Sequence, residues 1–449
     1  MKINELNLLK VSIVKDIFEA RELYKSYFDI SENITESVKN IVNDVKQNGI
    51  KAAIKHTNTF DKVSFKTLTD AKLSLDEING GYESIKLKSP ELVKAIEKSY
   101  KNIKLFHEEQ LAHEPETWFI EPEKGKKLGQ ISLALDRICV YIPGGRYVYP
   151  SSVLMTVIPA QVAGVKEIVV CTPPLKNGKL NNLLLYLFKF LKISEVYKIG
   201  GAQAIALMAY GDNEVKKVAK IVGPGNIYVT AAKKIVYGNV GIDSLAGPSE
   251  IAIIADKSSN PYYIAADLLS QAEHDPDAKS ILLTDNIDIA NETIFKIYEE
   301  LEFIKTEYGS RFNYDSVIES LKNNCKIIYN KDINLIIEIS NEIAPEHLEI
   351  MTENPEETLK KIKNAGSIFL GSYTPVAVGD YIGGTNHVIP TNGTAIFSSP
   401  LGVYDFFKKS AVTYYNFKAL DNERKFIEDL ADTENLLAHK NSVKVRFKS

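Results

Sequence analysis

Short apolar segments alternate with segments of helical spacing through the chain from about residue 137 onward. The apolar segments often end in Gly or Pro, as buried strands do, and the segments between them place apolar residues three and four positions apart. The predicted strands lie in "RICVYIPGG", "EIVVCTPP", "EVYKIGG", "KIVGPG", "VGIDSLAGPSEIAIIAD", "SILLT", "KIIYN" and "SIFLG". Strands and helices in this alternation predict βαβ units around parallel sheets.

The two ends of the chain have other patterns. Residues 1 to about 115 are charged and predict mainly helices, and "SVKNIVNDVKQNG" is expected to end its helix at Gly49. The segment "EPETWFIEP" predicts an irregular crossover. Near the other end, "PTNGTAIFSSPLG" predicts a turn-rich linker. A helical tail is expected after it, with "VYDFFKKSAV" and "NERKFIEDLADTENLLAHK" as its helices.

A chain of 449 residues is too long for one ordinary core and predicts at least two domains. The expected fold class is α/β, with two Rossmann-like parallel-sheet domains, a helical N-terminal segment and a C-terminal helical tail. The expected boundaries are an arm over 1–30, a discontinuous α/β domain over 31–137 and 250–390, an inserted α/β domain over 138–249, and a tail over 391–449.

Several predicted strands end in glycine turns: "IPGG", "IGGAQ", "VGPGN" and "LAGPSE". Turns often contain glycine for local reasons, but four in one α/β region favour a ligand that approaches the main chain. The chain has no G-x-G-x-x-G that opens a βαβ unit and no G-x-x-x-x-G-K-[ST]. A dinucleotide would therefore bind without the usual fingerprint.

Charge and composition exclude several classes of protein. The net charge is -4 and the basic residues are mostly lysine, which argues against a nucleic-acid partner. No apolar run approaches the roughly 20 residues of a membrane span, and the N-terminus lacks the features of a signal peptide. The cysteines predict buried free thiols in a reducing compartment: Cys139, Cys171 and Cys325. We therefore expect a cytoplasmic protein with no membrane partner.

The seven histidines fall into two groups. His56, His107 and His113 lie in the charged N-terminal part and are expected at the surface. The other four lie beside polar residues with catalytic potential: His274, His347, His387 and His439.

Metal binding and proton transfer are the candidate roles for this second group. Gln271 and His274 are three positions apart, so on a helix they share one face. With Asp380 and His439 they could hold zinc, although the HExxH signature is absent. The adjacent Glu346 and His347 suggest proton transfer, but neighbours in an extended chain point in opposite directions. They could serve one site only if the chain turns after the preceding proline.

Several motifs, in order and spacing, resemble those of the histidinol dehydrogenase family over about residues 130 to 445. They are "YIPGG", "GGAQAIALMAYG", "GPGNIYVTAAK", "IDSLAGPSEIAIIAD", "AADLLSQAEH", "APEHLEI", "AGSIFLG", "GDYIGGTNHVIPT" and "LLAHKNSV". The resemblance implies oxidation of L-histidinol, through bound L-histidinal, to L-histidine in the last steps of histidine biosynthesis. The implied cofactors are one Zn²⁺ per site and two molecules of NAD.

The resemblance also implies a role for each matching position. The zinc ligands would be Gln271, His274, Asp380 and His439, and Glu346 and His347 would be the acid/base pair. Further substrate contacts would come from Ser249, His387 and Glu434, and NAD contacts from Tyr141, Gln203 and Asn226. The implied partner is a second copy of the chain, whose tail completes the site of a homodimer.

Three alternatives stay open at this point. The same ligands could activate water in a zinc-dependent hydrolase, with Glu346 as the base. The substrate could be a related amino alcohol. The chain could also be an α/β binding protein without activity, although the complete set of residue types argues against this.

Overall fold

The structure, a computed structural model, describes residues 9–24, 30–114, 116–144 and 148–448. Two parallel sheets with helices on their faces form the main body, and a small antiparallel sheet joins the tail to it. The expected α/β class with two parallel sheets is therefore confirmed, whereas the domain boundaries stay a prediction.

The first parallel sheet has five strands in the order β6-β5-β4-β7-β8. All neighbouring pairs are parallel, and Tyr141 pairs with Cys171 at the carboxyl end of the central strands. The strands are β4 (Arg137–Tyr141), β5 (Glu167–Cys171), β6 (Glu195–Tyr197), β7 (Lys220–Val222) and β8 (Gly241–Ile242). The helices between them are α6 (Pro150–Val162), α7 (Asn182–Phe190), α8 (Gly201–Tyr210) and α9 (Ile227–Val236).

The second parallel sheet has six strands in the order β1-β11-β10-β9-β12-β13. Its strands are β1 (Val11–Ile13), β9 (Glu250–Ala255), β10 (Lys279–Thr284), β11 (Cys325–Tyr329), β12 (His347–Met351) and β13 (Ser367–Leu370). Its helices are α1 (Ile17–Tyr24), α10 (Pro261–Ala272), α11 (Ile287–Tyr308), α12 (Tyr314–Asn324), α13 (Ile333–Ile343), α14 (Pro355–Leu359) and α15 (Val376–Val378). The edge strand β1 comes from the N-terminal arm, which the sequence pattern did not predict.

The third sheet corrects two expectations. It is antiparallel, in the order β14-β3-β2, with β2 (Trp118–Glu123), β3 (Lys126–Ala134) and β14 (Phe407–Tyr415). The "EPETWFIEP" segment is therefore mostly strand, and most of "VYDFFKKSAV" is strand instead of helix. Both contain aromatic or β-branched residues, and pairing with β3 completes their backbone hydrogen bonds. The tail ends in α16 (Phe417–Thr433) and α17 (Leu437–Lys444).

The N-terminal helices cover the five-stranded sheet. They are α2 (Glu32–Asp61), α3 (Leu68–Ala71), α4 (Leu75–Lys88) and α5 (Pro90–Ala112). Helix α2 packs on α8 and α9, and α4 packs on α7. The chain bends at Gly49, as its φ of 56° indicates, but helix resumes immediately, so the expected end of the helix is only an interruption.

One of the three N-terminal histidines is not at the surface. His113 is exposed and His56 is partly buried, but His107 in α5 is buried completely. Its Nδ1 lies 2.8 Å from the Ile103 carbonyl oxygen and its Nε2 lies 3.3 Å from the Asn386 amide nitrogen. Burial lowers the pKa of His107. The expectation failed because this position faces the segment just before His387, a long-range contact that local charge does not reveal.

Each parallel sheet is buried on both faces. Two apolar clusters flank the five-stranded sheet and two flank the six-stranded sheet. The three cysteines are free thiols inside these cores, as expected. Among the described residues, no helix has the length and apolar character needed to cross a membrane.

The turn after β7 depends on Gly223. Its φ is +114°, and a Cβ there would lie 2.1 Å from the Tyr141 main-chain oxygen. The Asp243 carboxylate accepts the Gly223 N–H, and the Lys233 ammonium bonds both Asp243 and the Gly223 carbonyl. We expect Gly223→Ala to cost about 1–3 kcal/mol for backbone strain and about 1–3 kcal/mol more for the overlap, measured by denaturant unfolding.

Gly238 is the matched control for this change. Its φ is +99°, but nothing lies within 4 Å of a Cβ added there. Gly238→Ala should therefore show only the backbone strain, about 1–2 kcal/mol. Equal losses for the two variants would contradict the role assigned to the close approach at Gly223.

Candidate active site

Most of the predicted site residues lie near the amino ends of β9 and β12 in the six-stranded sheet. His347 is the first residue of β12, and it pairs in parallel register with Ile251, the second residue of β9. Helix α10 runs back along the sheet, so its C-terminus reaches the same edge. The "LAGPSE" turn leads into β9, whereas the other three glycine turns follow carboxyl ends of the five-stranded sheet.

His347 is buried and oriented by a main-chain carbonyl group. Its Nδ1 lies 3.0 Å from the Glu250 carbonyl oxygen, so Nδ1 carries the proton that it donates. The lone pair of Nε2 is then free to accept a proton from a bound molecule. Burial lowers the pKa of His347 to about 4, although the nearby Asp380 carboxylate works against this. The imidazole is thus held neutral, in one tautomer, as a base requires.

Glu346 also contacts Glu250 of β9, through the main-chain N–H instead of the carbonyl group. Its Oε2 accepts the Glu250 N–H at 2.8 Å and lies 3.6 Å from His347 Nδ1. Burial raises the pKa of this carboxyl group well above its ordinary value. Ala344, the C-cap of α13, has a left-handed φ of 49° and ends that helix just before Pro345, so the turn lies before the proline and not after it.

Glu250 is a site residue that the sequence did not reveal. Its N–H and C=O hold Glu346 and His347, and its buried carboxylate accepts the Asn392 N–H at 2.8 Å. The Lys279 ammonium lies 3.4 Å from the same carboxylate. Burial raises the pKa of Glu250, with Lys279 opposing that shift. No local motif signals this role, because it arises from the register of β9 against β12.

The end of α10 presents Gln271 and His274. The helix ends at Ala272, and Glu273 is its C-cap, close to the expected end. His274 is exposed, and its Nδ1 lies 3.1 Å from the Ser270 carbonyl oxygen, which leaves Nε2 free. Gln271 is 1% exposed, yet its side-chain Nε2 has no hydrogen-bond partner among the described residues. A buried amide without a partner is costly, so this one suits a ligand that the chain does not itself supply.

Asp380 and His387 approach this helix end from another segment. Asp380 lies in a π-helical turn, Gly379–Gly383, which directly follows α15. Its Oδ1 is 3.6 Å from His387 Nδ1. Burial opposes ionisation of Asp380, but the imidazoles of His387 and its neighbours lower its pKa overall. The imidazoles of His274 and His347 act on this carboxylate too, so the four side chains form one cluster.

The remaining predicted residues are placed differently. Ser249 lies next to Glu250, and its carbonyl oxygen accepts the Lys279 N–H. Glu434 and His439 are exposed on the tail, and no hydrogen bond or ion pair joins either to this cluster in the part of the chain that the structure describes. Within the same part, no three His, Cys, Asp or Glu side chains are grouped to hold a metal ion by themselves.

A separate cleft of about 890 Å³ lies at the carboxyl end of the five-stranded sheet. Tyr141, Gln203 and Asn226 all line it, as expected for residues that share one ligand. The Tyr141 hydroxyl accepts the Gly201 N–H at 3.0 Å, and Asn226 caps α9 through its Oδ1. Asp61 also lines the cleft, and burial raises its pKa to about 6. Its sequence context gave no signal for this position.

Sequence and structure both match known proteins over nearly the whole chain. The family model for histidinol dehydrogenase matches residues 25–447. Histidinol dehydrogenase of Clostridium acetobutylicum is 47% identical over 415 residues, 92% of this chain and 93% of that protein. The Methanothermobacter thermautotrophicus protein of the same name is 42% identical over 448 residues, 100% of this chain and 99% of its own. The crystal structure of histidinol dehydrogenase from Elizabethkingia anophelis has a TM-score of 0.88 and 38% identity, with 98% of each chain covered.

The burial of His347 predicts its response to pH. The unfolded chain takes up a proton at this residue near pH ~6.5, whereas the folded chain does so near its pKa of about 4. Between these values the unfolded state binds more protons, so stability from this residue is complete above the upper value and falls as the pH falls. We expect ¹⁵N-histidine NMR of the chelator-treated protein to show a neutral His347 imidazole at pH 5.5.

The His347→Asn variant would assign that signal and should weaken the loss of stability in acid. A His347 signal that titrates near pH ~6.5 would contradict the effect of burial described above.

Proposed function

The chain belongs to the histidinol dehydrogenase family, NAD-dependent oxidoreductases that convert histidinol to histidine in histidine biosynthesis, and on this premise we propose how its residues do so. The proposed reaction is two oxidations at one site, with L-histidinal held between them. It uses one Zn²⁺ and two molecules of NAD. The observation that carries the proposal is the neutral, buried His347, with its Nε2 free, in a cluster with His274 and Asp380. Membership of an oxidoreductase family decides against the hydrolase alternative.

The residues at the end of α10 fit a zinc ion. The Gln271 carbonyl oxygen is the atom that would bind the metal, while its buried Nε2 has no partner among the described residues, and His274 has Nδ1 hydrogen-bonded to a carbonyl and Nε2 free. An imidazole held in this way is typical of a metal ligand. Asp380 adds a carboxylate, and His439 of a second copy is the proposed fourth ligand. We assign the zinc site to these four residues.

The cleft at the five-stranded sheet fits NAD. Its volume of about 890 Å³ is large enough for a dinucleotide, and Tyr141, Gln203 and Asn226 line it. Turns at the carboxyl ends of parallel strands are the usual place for such a ligand. We assign NAD contacts to these three residues.

The two cofactors and the protein's own residues have different roles in the proposed reaction. When bound, zinc orients the substrate's nitrogen atoms and NAD takes up the electrons of each oxidation. Ser249, His387 and Glu434 are the proposed further contacts to substrate. Ser249 and His387 come from the two segments that flank Glu250 and Asp380, so both lie beside the reacting groups.

His347 and Glu346 move the protons. In the first oxidation, Nε2 of His347 accepts the proton of the substrate hydroxyl as the carbon gives up hydride. In the second, Glu346 takes a proton from water as that water adds to the aldehyde carbon, and the protonated His347 returns its proton to the aldehyde oxygen, which gives the hydrate and a neutral imidazole. His347 then accepts a hydroxyl proton of the hydrate as the second hydride leaves. Burial raises the pKa of Glu346, which makes its carboxylate a stronger base toward the attacking water.

A homodimer would complete the site. Glu434 and His439 lie on the tail and are exposed, next to the exposed apolar residues Leu436 and Leu437. The antiparallel sheet that joins the tail to the body also exposes apolar side chains: Trp118, Phe119, Ile120, Leu133 and Tyr414. Apolar surface of this extent is typical of a contact with another chain. We therefore assign these surfaces to a second copy, with each tail reaching the partner's site.

The two oxidations can be separated by variants of the paired residues. His347→Asn should slow both oxidations by at least about 10²-fold, because each needs its base. Glu346→Gln keeps an oxygen for the Glu250 N–H, so it should slow mainly the aldehyde-to-acid half, which alone needs water. NADH should be measured from histidinol and from histidinal, with two NADH per histidinol expected in the unchanged protein.

Two outcomes would count against this division of roles. One is a single NADH per histidinol with release of histidinal. The other is equal slowing of both half-reactions by Glu346→Gln.

The origin of His439 can be tested by mixing two inactive variants. One is His439→Ala, and the other combines Glu346→Gln with His347→Asn. In a mixed dimer, the body of the first variant receives an intact tail from the second and forms one complete site. Random exchange makes about half of the dimers mixed, so about a quarter of full activity should return.

Exchange must be verified independently, for example by mass spectrometry of differently tagged chains. No recovery after verified exchange would place His439 in the site of its own chain.

A further inference from the structure

A second polar cluster lies below the proposed zinc site, inside the apolar core of the six-stranded sheet. It consists of Asp267 on α10 and Glu349 on β12, here called the buried carboxyl pair. Glu349 is 1% exposed, and its carboxyl group is hydrogen-bonded to that of Asp267. Its Oε1 also accepts the Val376 N–H at 3.0 Å. Two carboxyl groups can share a hydrogen bond only when one of them carries a proton.

The protonation state follows from the surroundings. Burial raises the pKa of Glu349 well above its ordinary value and raises that of Asp267 to about 6. Glu349 Oε2 is buried and has no hydrogen-bond partner among the described residues while both groups are ionised, whereas a proton on Glu349 would let this carboxyl donate to Asp267. Apolar side chains of the core surround the pair, including Leu268 and Met351.

The pair joins three segments that each hold part of the active site. Asp267 lies one helical turn before Gln271 on the same face of α10, and His274 follows two residues after the helix ends. Val376 begins the turn that continues into the π-helical turn of Asp380. Glu349 lies two residues after His347, on the same side of β12.

A structural role alone does not account for these groups. Replacing buried, paired polar side chains with apolar ones of similar volume is often neutral or stabilising. Two carboxyl groups are thus a poor way to stabilise this core. Their directional bonds do, however, fix α10 and the Val376 turn relative to β12.

We propose that Asp267 and Glu349 are positioning residues, whose hydrogen bonds align α10 and the 376–383 segment so that Gln271, His274 and Asp380 meet at one zinc ion. This inference rests on the proposed ligand set. Neither residue touches the metal. Their effect is on the distance between ligands that come from different segments.

Two substitutions of Glu349 distinguish an effect on the position of the zinc ligands from an effect on the stability of the protein. Glu349→Gln retains an acceptor for the Val376 N–H and gains an N–H for the Asp267 carboxylate, so it should keep zinc affinity within about twofold of the unchanged protein. Glu349→Met removes both hydrogen bonds at similar volume. It should lower zinc affinity by about 10-fold or more, as loss of outer groups does at other sites, while the melting temperature of the metal-free protein stays the same or rises.

Asp267→Ala provides the second variant, in case the Met change at Glu349 prevents folding. It removes a partly buried helix side chain, keeps good helix propensity and leaves the Glu349–Val376 bond in place. It cuts only the connection to α10, and it should also weaken zinc binding about 10-fold. Ile297→Val, a change in the same apolar core on α11, is the control for destabilisation without loss of a polar contact.

Zinc affinity of the full-length holoenzyme should be measured by competition with a chromophoric chelator, and the geometry by the absorption bands of the cobalt-substituted form. Weaker binding and shifted bands in Glu349→Met and Asp267→Ala, but not in Glu349→Gln or Ile297→Val, would support the proposal. Wild-type affinity in Asp267→Ala or in folded Glu349→Met would overturn it.

Gln271→Ala separates this inference from the proposed function, with the exposed Gln47→Ala as its control. If Gln271→Ala weakens zinc binding and the pair variants do not, only the positioning role is wrong. If Gln271→Ala binds zinc as tightly as the unchanged protein, the ligand set itself is wrong, and the positioning role falls with it.

Discussion

The proposed active site depends on the main-chain N–H and C=O of one residue, Glu250. The N–H holds Glu346 at 2.8 Å and the C=O holds His347 at 3.0 Å, so the start of β9 orients both members of the proposed acid/base pair. Main-chain groups cost no side-chain entropy to position, and Glu250 is itself paired with Lys279 of β10. The Glu250 carboxylate then holds the turn at Asn392. The proposed acid/base pair is therefore oriented by the start of a central strand.

The sequence predicted this site in its parts but not in its assembly. Alternating strands and helices predicted both parallel sheets. The three-residue spacing of Gln271 and His274 suggested one helix face, but His274 lies two residues beyond the end of α10. The adjacent pair Glu346 and His347 stayed ambiguous, because both side chains meet at the main chain of Glu250. That contact comes from another strand, about 100 residues earlier, and has no local signature.

The features that the sequence did not predict share one physical cause, which is contact between segments far apart in sequence. The strand β14 forms only because it pairs with β3, about 280 residues earlier by the register Lys408 to Leu133. The local sequence around His107 predicts a surface histidine, but α5 packs against the segment that carries Asn386, and this contact buries His107. The role of Glu250 depends on the register of two parallel strands. Local pattern carries no information about any of these three contacts.

The inner face of α10 carries two polar side chains that bear on both the stability of the fold and the proposed zinc binding. Asp267 and Gln271 are one turn apart, and both place polar groups in an apolar environment. An unsatisfied buried polar group costs about 1–3 kcal/mol. The carboxyl of Asp267 reduces that cost by sharing a proton with Glu349, but the Gln271 amide has no such partner in the described chain. The proposed zinc would bind the Gln271 carbonyl oxygen and not this N–H, and a metal that binds only the folded state stabilises that state in proportion to the logarithm of its concentration over Kd.

The neutral amide suits the proposed zinc site better than a third carboxylate would. An extra charge beside Asp380 and Glu346 would raise the cost of burial further in the metal-free chain, whereas an amide carries only a dipole.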